Sequence, residues 1–181
     1  MNYYNYWSKC KELIESGNIA QAQEYVMDTA IALKLDNTLI DKILSVPLKK
    51  YQHTLEHYIP ICIERAQAEQ AKAICLFYDV DNGWDSTFYF CQEYHPVNHD
   101  WIAMSRSWIN IGRARGLNGF YRKQAESAFF CDEISTAVCL LVMFKTTITF
   151  WHAIEKYLDQ CQNKDIKLCI TCSDDDSVRL I

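Results

Sequence analysis

The sequence predicts an α+β protein: N-terminal helical hairpins packed on a small antiparallel β-sheet with a covering C-terminal helix. Three observations carry this. Residues 1–70 repeat apolar side chains at spacings of three and four, the period of a helix with one buried face. From residue 73 the period drops to two in segments rich in aromatic and β-branched residues. Near the C-terminus, helical spacing returns and is followed by a short β-like ending. With 181 residues the chain fits one domain, residues 1–181, in which 1–70 form a helical lobe and 73–181 the hairpin-containing part.

Each element has a local reason. Tyr3, Tyr6, Trp7, Cys10, Leu13 and Ile14 share one helical face, Gly17 supplies a stop, and Asn18 can cap a second helix carrying Ile19, Ala22, Val26, Ala30 and Leu33. The stretch ESGNIAQAQEYVMDTAIALKLDN resembles the turn and second helix of a tetratricopeptide hairpin; no second copy follows, so the resemblance implies one helical hairpin and not an array. Asp36 or Asn37 can cap a short third helix ending near Pro47. A fourth covers about residues 49–70, with Pro60 expected to kink or split it. AICLFYDV (73–80) and STFYFCQEY (86–94) flank DNGWD, where Asn82 and Gly83 suit a tight turn, and this predicts a β-hairpin. Residues 105–112 can add a third strand. Residues 137–144 read as a buried strand or the middle of a buried helix, which periodicity does not separate. Ile148, Trp151, Ile154, Leu158 and Cys161 have helical spacing, and IKLCITC turns through Ser173–Asp176 into SVRLI as a terminal hairpin.

Nine cysteines without regular spacing read as small buried hydrophobes of a reducing compartment rather than a disulfide framework. The N-terminal segment MNYYNYWSKCKELIESG has aromatics where an export signal needs basic and then apolar residues, so the expected location is the cytoplasm. The most apolar segment, 134–154, contains Lys145 and four threonines, which favours a core element over a membrane span. No cofactor is expected: the chain has five glycines and no phosphate-cradling loop, nucleophile elbow or kinase signature.

Several clusters bear on chemistry. His53, Glu56 and His57 match the HxxEH pattern of the inverted zinc peptidases; the resemblance implies two histidine ligands and a water-activating glutamate, the alternative reading being a zinc-dependent hydrolase. No third ligand is marked, and a solvated histidine pair outweighs that reading. Cys169 and Cys172 form a CxxC inside an apparent strand, where they point to opposite faces, so a core role outweighs a redox one. Cys91, His95, His99 and Asp100 are close in sequence, yet an ordinary polar loop is the stronger reading. Asp79, Asp81, Gly83 and Asp85 depart from a calcium loop, having glycine at the fifth place and Phe90 at the twelfth.

Charge is unevenly distributed. Residues 101–125 hold Arg106, Arg113, Arg115, Arg122 and Lys123 and no acid, so this segment is +5 in a chain of net charge −5 and the remainder is −10. Trp101, Trp108, Phe120 and Tyr121 are interleaved with it, a mixture able to contact phosphates and stack bases. The acidic remainder opposes nucleic-acid binding. The acids gather at the predicted turns: Asp79, Asp81 and Asp85 around Trp84, and Asp174, Asp175 and Asp176 in the last hairpin. These residues form the expected partner-binding edge, an aromatic anchor with a steering rim of carboxylates. The hairpin CLFYDVDNGWDSTFYFCQEY and the ending IKLCITCSDDDSVRLI resemble the immunity proteins that neutralise bacterial polymorphic or contact-dependent toxins. That resemblance implies a non-catalytic cytoplasmic inhibitor binding one toxin domain, with no membrane partner.

Overall fold

A computed structural model describes residues 3–96, 100–125, 132–162, 165–172 and 177–181. The architecture is α+β, with helices α1 (Tyr3–Glu15), α2 (Ile19–Ala32), α3 (Asn37–Ser45) and α4 (Lys49–Ala68) preceding strands β1 (Ala73–Asp79), β2 (Asp85–Cys91) and β3 (Ser107–Arg113). After them come a short helix α5 (Asn118–Phe120), the long α6 (Glu133–Ile154), α7 (Leu158–Gln162), β4 (Lys167–Cys172) and β5 (Val178–Arg179). Residues 137–144 are thus helical: an unbroken buried run can satisfy its own backbone inside a long helix. That helix is long and apolar enough to cross a membrane, but 78 % of its most apolar stretch is buried within the protein, as in a core helix.

The chain forms two compact units, the first comprising Met1–Leu48 and Gly116–Thr149, the second Lys49–Arg115 and Phe150–Ile181. Helix α4 packs on β1 and β3 and falls in the second unit with the sheet.

In the first unit, Trp7, Cys10 and Ile14 of α1 and Ala22, Val26 and Ala30 of α2 are buried along the predicted stripes. The turn between these helices closes with Gly17 at φ 74°, its N–H donating to the Ile14 carbonyl and the Asn18 N–H to that of Leu13. Asn18 occupies the cap position of α2 without a side-chain bond, whereas the Asp36 carboxylate accepts from the Leu39 N–H and starts α3. A reciprocal capping box starts α6: the Ser135 N–H donates to Asp132 Oδ1 at 2.6 Å and the Asp132 N–H to Ser135 Oγ at 3.3 Å. Among the described residues the polar side chains of α6 are partly paired, the buried Thr147 Oγ1 having no hydrogen-bond partner. Thr146 Oγ1 donates to the Val142 carbonyl at 2.8 Å, while Lys145 Nζ donates to the Leu44 carbonyl at the end of α3. Burial lowers the Lys145 pKa from its ordinary value.

The second unit is built on a five-stranded sheet of order β3-β2-β1-β4-β5. The expected sheet was wholly antiparallel; the observed one is mixed, because β4 returns parallel to β1 with Cys75 opposite Cys169. Helical residues intervene between those strands, which is the length of connection a parallel pairing needs. On one face, Ile74, Leu76, Tyr78, Phe88, Phe90, Leu168 and Ile170 are all buried. Phe150 packs on Phe88 with ring centroids 5.9 Å apart, and the Arg65 guanidinium of α4 lies 4.9 Å above the Phe90 ring. Of the two outcomes expected at Pro60, a kink or a split, the split does not occur: α4 is one continuous helix through Pro60, with Ile59, Cys62 and Ile63 buried on either side.

Candidate functional site

The opposite face of the sheet is only partly covered. At the β1 start, Trp101 closes over Ala73, Cys75, Cys91 and Cys169, its Nε1 donating to the His95 carbonyl at 3.0 Å. Further along, strand alternation and register bring Trp108, Tyr89 and Cys75 into one row, Asn110, Thr87 and Phe77 into the next, and Arg113, Asp85 and Asp79 into a third. Phe77 and Tyr89 are half-buried and meet edge to face at 6.1 Å. Trp108 on β3 is 59 % exposed, a large aromatic area left in water at the rim of the sheet.

The expected anchor, Trp84, lies elsewhere. It is fully buried, with φ 62°, and stacks on Tyr78 at 6.4 Å. The physical reason is the turn. The Trp84 N–H donates to the Asp79 carbonyl at 2.8 Å, and its own carbonyl accepts from Ala114 N–H and Ser86 Oγ. These bonds fold the last turn residue back under the sheet, where Ser86 Oγ also meets the Tyr51 hydroxyl at 2.8 Å. Gly83 has the positive φ expected of a tight turn, 68°; the second such residue is Trp84 itself and not Asn82.

The carboxylates fare differently. Asp79 holds the turn: Oδ1 accepts from the N–H groups of Asp81 and Asn82, and Oδ2 from Asn82 Nδ2. Asp85 Oδ2 accepts from Asn110 Nδ2 at 3.1 Å, and Asp81 is exposed. So Asp79 and Asp85 share the aromatic face while Asp81 stands at its end. Asp174, Asp175 and Asp176 lie outside the described residues, as does His99.

The metal-ligand pattern does not converge. His53 and His57 are exposed on α4; His53 Nδ1 lies 3.4 Å from Glu56 Oε2, and His57 meets Tyr58 edge to face at 5.1 Å. Glu56 is also 3.6 Å from Lys156 Nζ. Desolvation pushes the Glu56 pKa up, but the hydrogen bonds from Gln52 and His53 and the Lys156 charge together bring it below its ordinary value. Among the described residues no group of three or more His, Cys, Asp and Glu side chains is placed to hold a metal ion. The thiols are poor nucleophiles as well. Burial raises Cys10, Cys62 and Cys91 to about 12. Cys75 is raised too, by burial and then by the neighbouring Cys169 and Cys91. Cys169 and Cys172 are buried on opposite faces of β4.

The basic segment is divided between the units. Arg106, Arg113 and Arg115 belong with β3 in the second, whereas Arg122 and Lys123 belong to the first; all five are exposed. Sequence reasoning named Trp108 only as part of this segment and did not single out Phe77 or Tyr89. The available signal was the alternation of β3, where Trp108 is flanked by smaller residues at every second place.

Comparison of the chain with protein-family models, with curated proteins and with solved structures finds no match.

Proposed function

We propose that this chain is a non-catalytic protein-binding protein, and within that class an immunity protein that neutralises a cognate bacterial toxin in the cytoplasm. The observation that carries the reading is Trp108, 59 % exposed at the rim of a sheet face that also presents Tyr89 and Phe77. A tryptophan held in water on a rigid strand supplies area for an interface anchor at little entropic cost. Asp81 and Asp85 at the end of the same face supply the carboxylate rim, with Trp108 taking the anchoring role expected of Trp84. Among the described residues eight cysteines are buried and none is in a disulfide, which supports a reducing compartment.

The test is capture of a partner from the native cell, identification by mass spectrometry, and expression of that partner with and without this chain. A toxic partner neutralised by the wild type but not by Trp108→Ala with Asp81→Ala supports the reading. A partner held equally tightly by the double variant removes this surface from the interface, and a harmless partner removes the immunity role.

A further inference from the structure

β3 is an outer strand of the sheet, and one side of its backbone looks away from β2. The Trp108 carbonyl accepts from Arg65 Nη1 of α4 at 3.4 Å, so it points outward. By the two-residue alternation of a strand, the backbone groups of Trp108 and Asn110 face the same outer edge. An edge of this kind is a template for another chain unless blocked. The blocks here are partial. A register shift at Ser86/Thr87 and Gly112 at φ 81° twist the far end of β3. Arg65 is held independently by Glu69 Oε1 at 2.7 Å, so its long bond to Trp108 can be released without freeing the side chain.

The charges that β3 and its flanking residues carry are of one sign, and the two carboxylates beside the strand are already engaged, Glu69 by Arg65 and Ser107 and Asp85 by Asn110. Arg106 precedes β3, Arg113 ends it and Arg115 follows; all three are exposed, and no acid occurs between residues 101 and 125. Among the described residues no carboxylate pairs with any of the three. We propose that β3 takes up an extended, acidic segment of a protein partner as an added strand, with Trp108 packing on its side chains and Arg106, Arg113 and Arg115 pairing with its carboxylates. This deepens the protein-binding reading above and rests on it. A second copy of the chain is a poor occupant. Antiparallel pairing of two β3 edges brings Arg106 of one copy against Arg113 and Arg115 of the other, like charges side by side. A nucleic acid would use the arginines and Trp108 but none of the outward backbone groups.

The probes are a labelled octapeptide of alternating valine and glutamate, its valine–lysine counterpart, and a ten-nucleotide oligo-dT. Binding is followed by fluorescence anisotropy against the full-length protein, with amide hydrogen exchange of residues 107–113 as a backbone readout. The expected result is binding of the glutamate peptide alone, slower exchange at Trp108 and Asn110 in its presence, and loss of about tenfold or more in affinity in Arg106→Ala/Arg113→Ala/Arg115→Ala. Absence of glutamate-peptide binding up to about 1 mM overturns the inference. So does equal binding of the lysine peptide, tighter binding of oligo-dT, or binding that leaves β3 exchange unchanged. The failures are separable. If a captured toxin is released by Trp108→Ala but not by the triple arginine variant, the protein-binding reading stands and strand addition falls.

Discussion

Two tryptophans of one sheet should respond in opposite ways to truncation. Trp84 is fully buried against Tyr78 and Trp108 is 59 % exposed. A buried tryptophan removes roughly 150–250 Å² from water, about 4–6 kcal/mol at ~25 cal/mol per Å², and truncation of such residues typically costs roughly 3–5 kcal/mol. For a chain of this length each kcal/mol moves the thermal midpoint about 2–4 °C, so Trp84→Ala should lower it by roughly 6–20 °C. Trp108→Ala should stay within about 0.5 kcal/mol of wild type. A further variant isolates the backbone. Because Trp84 sits at φ 62°, Trp84→Gly regains about 1 kcal/mol of conformational cost and should be no less stable than Trp84→Ala, contrary to the order at an ordinary core site. Thermal and urea unfolding followed by circular dichroism measure all three. Equal midpoints for Trp84→Ala and Trp108→Ala, or a larger loss at Trp108, would refute the assignment of one tryptophan to the core and the other to the surface.

Three more outcomes are expected. Lys34, Gln70 and Asp165 each follow a helix with positive φ, of 63°, 56° and 50°, where glycine carries no Cβ penalty; Lys34→Gly and Gln70→Gly should each stabilise by about 1 kcal/mol in urea titration, and Gly17→Ala, with open space around its Cβ, should destabilise by a similar amount. Asp132→Ala breaks the capping box of α6 and should cost about 1 kcal/mol, with Asp132→Asn retaining most of the stability. Burial raises Cys10, Cys62 and Cys91 from 9.0 to about 12, so the stability they contribute is fully present below about pH 9 and lost as the pH rises towards 12. At pH 8 only about one in 10⁴ of these thiols is ionised in the folded protein, so iodoacetamide should label them after unfolding and not before; rapid native labelling contradicts their burial.

Helix starts and stops were legible because they are local chemistry. Asp36 caps its own helix three residues on, and Gly17 turns the chain within one hydrogen-bonded loop. The hairpin was legible for the same reason, since Gly83 and the alternation of 73–79 and 85–91 act over a few residues. Other features were not. Residues 137–144 become helix because α6 is buried along its middle, a property of its surroundings that a run of apolar letters does not encode. Pro60 leaves α4 continuous because buried neighbours on both sides hold the helix. Glu69, whose pKa is lowered by hydrogen bonds from Ser107 and then Arg65, gains its partners from β3 and α4, and nothing near it in sequence announces the first of them.

By itself the sequence determined the α+β order, the helical hairpin and the β-hairpin, because period, caps and turn residues act over distances of a few residues. It also determined that the basic charge is concentrated between residues 101 and 125. Only the tertiary structure decided that β4 lies parallel to β1, which requires two segments about ninety residues apart to meet. It alone decided which tryptophan is buried. Trp84 at the acidic turn is drawn under the sheet by backbone hydrogen bonds, while Trp108, on a strand with a neighbour on one side only, stays in water. Exposure is a property of what packs against a residue, and for these two side chains that is settled by partners distant in the chain.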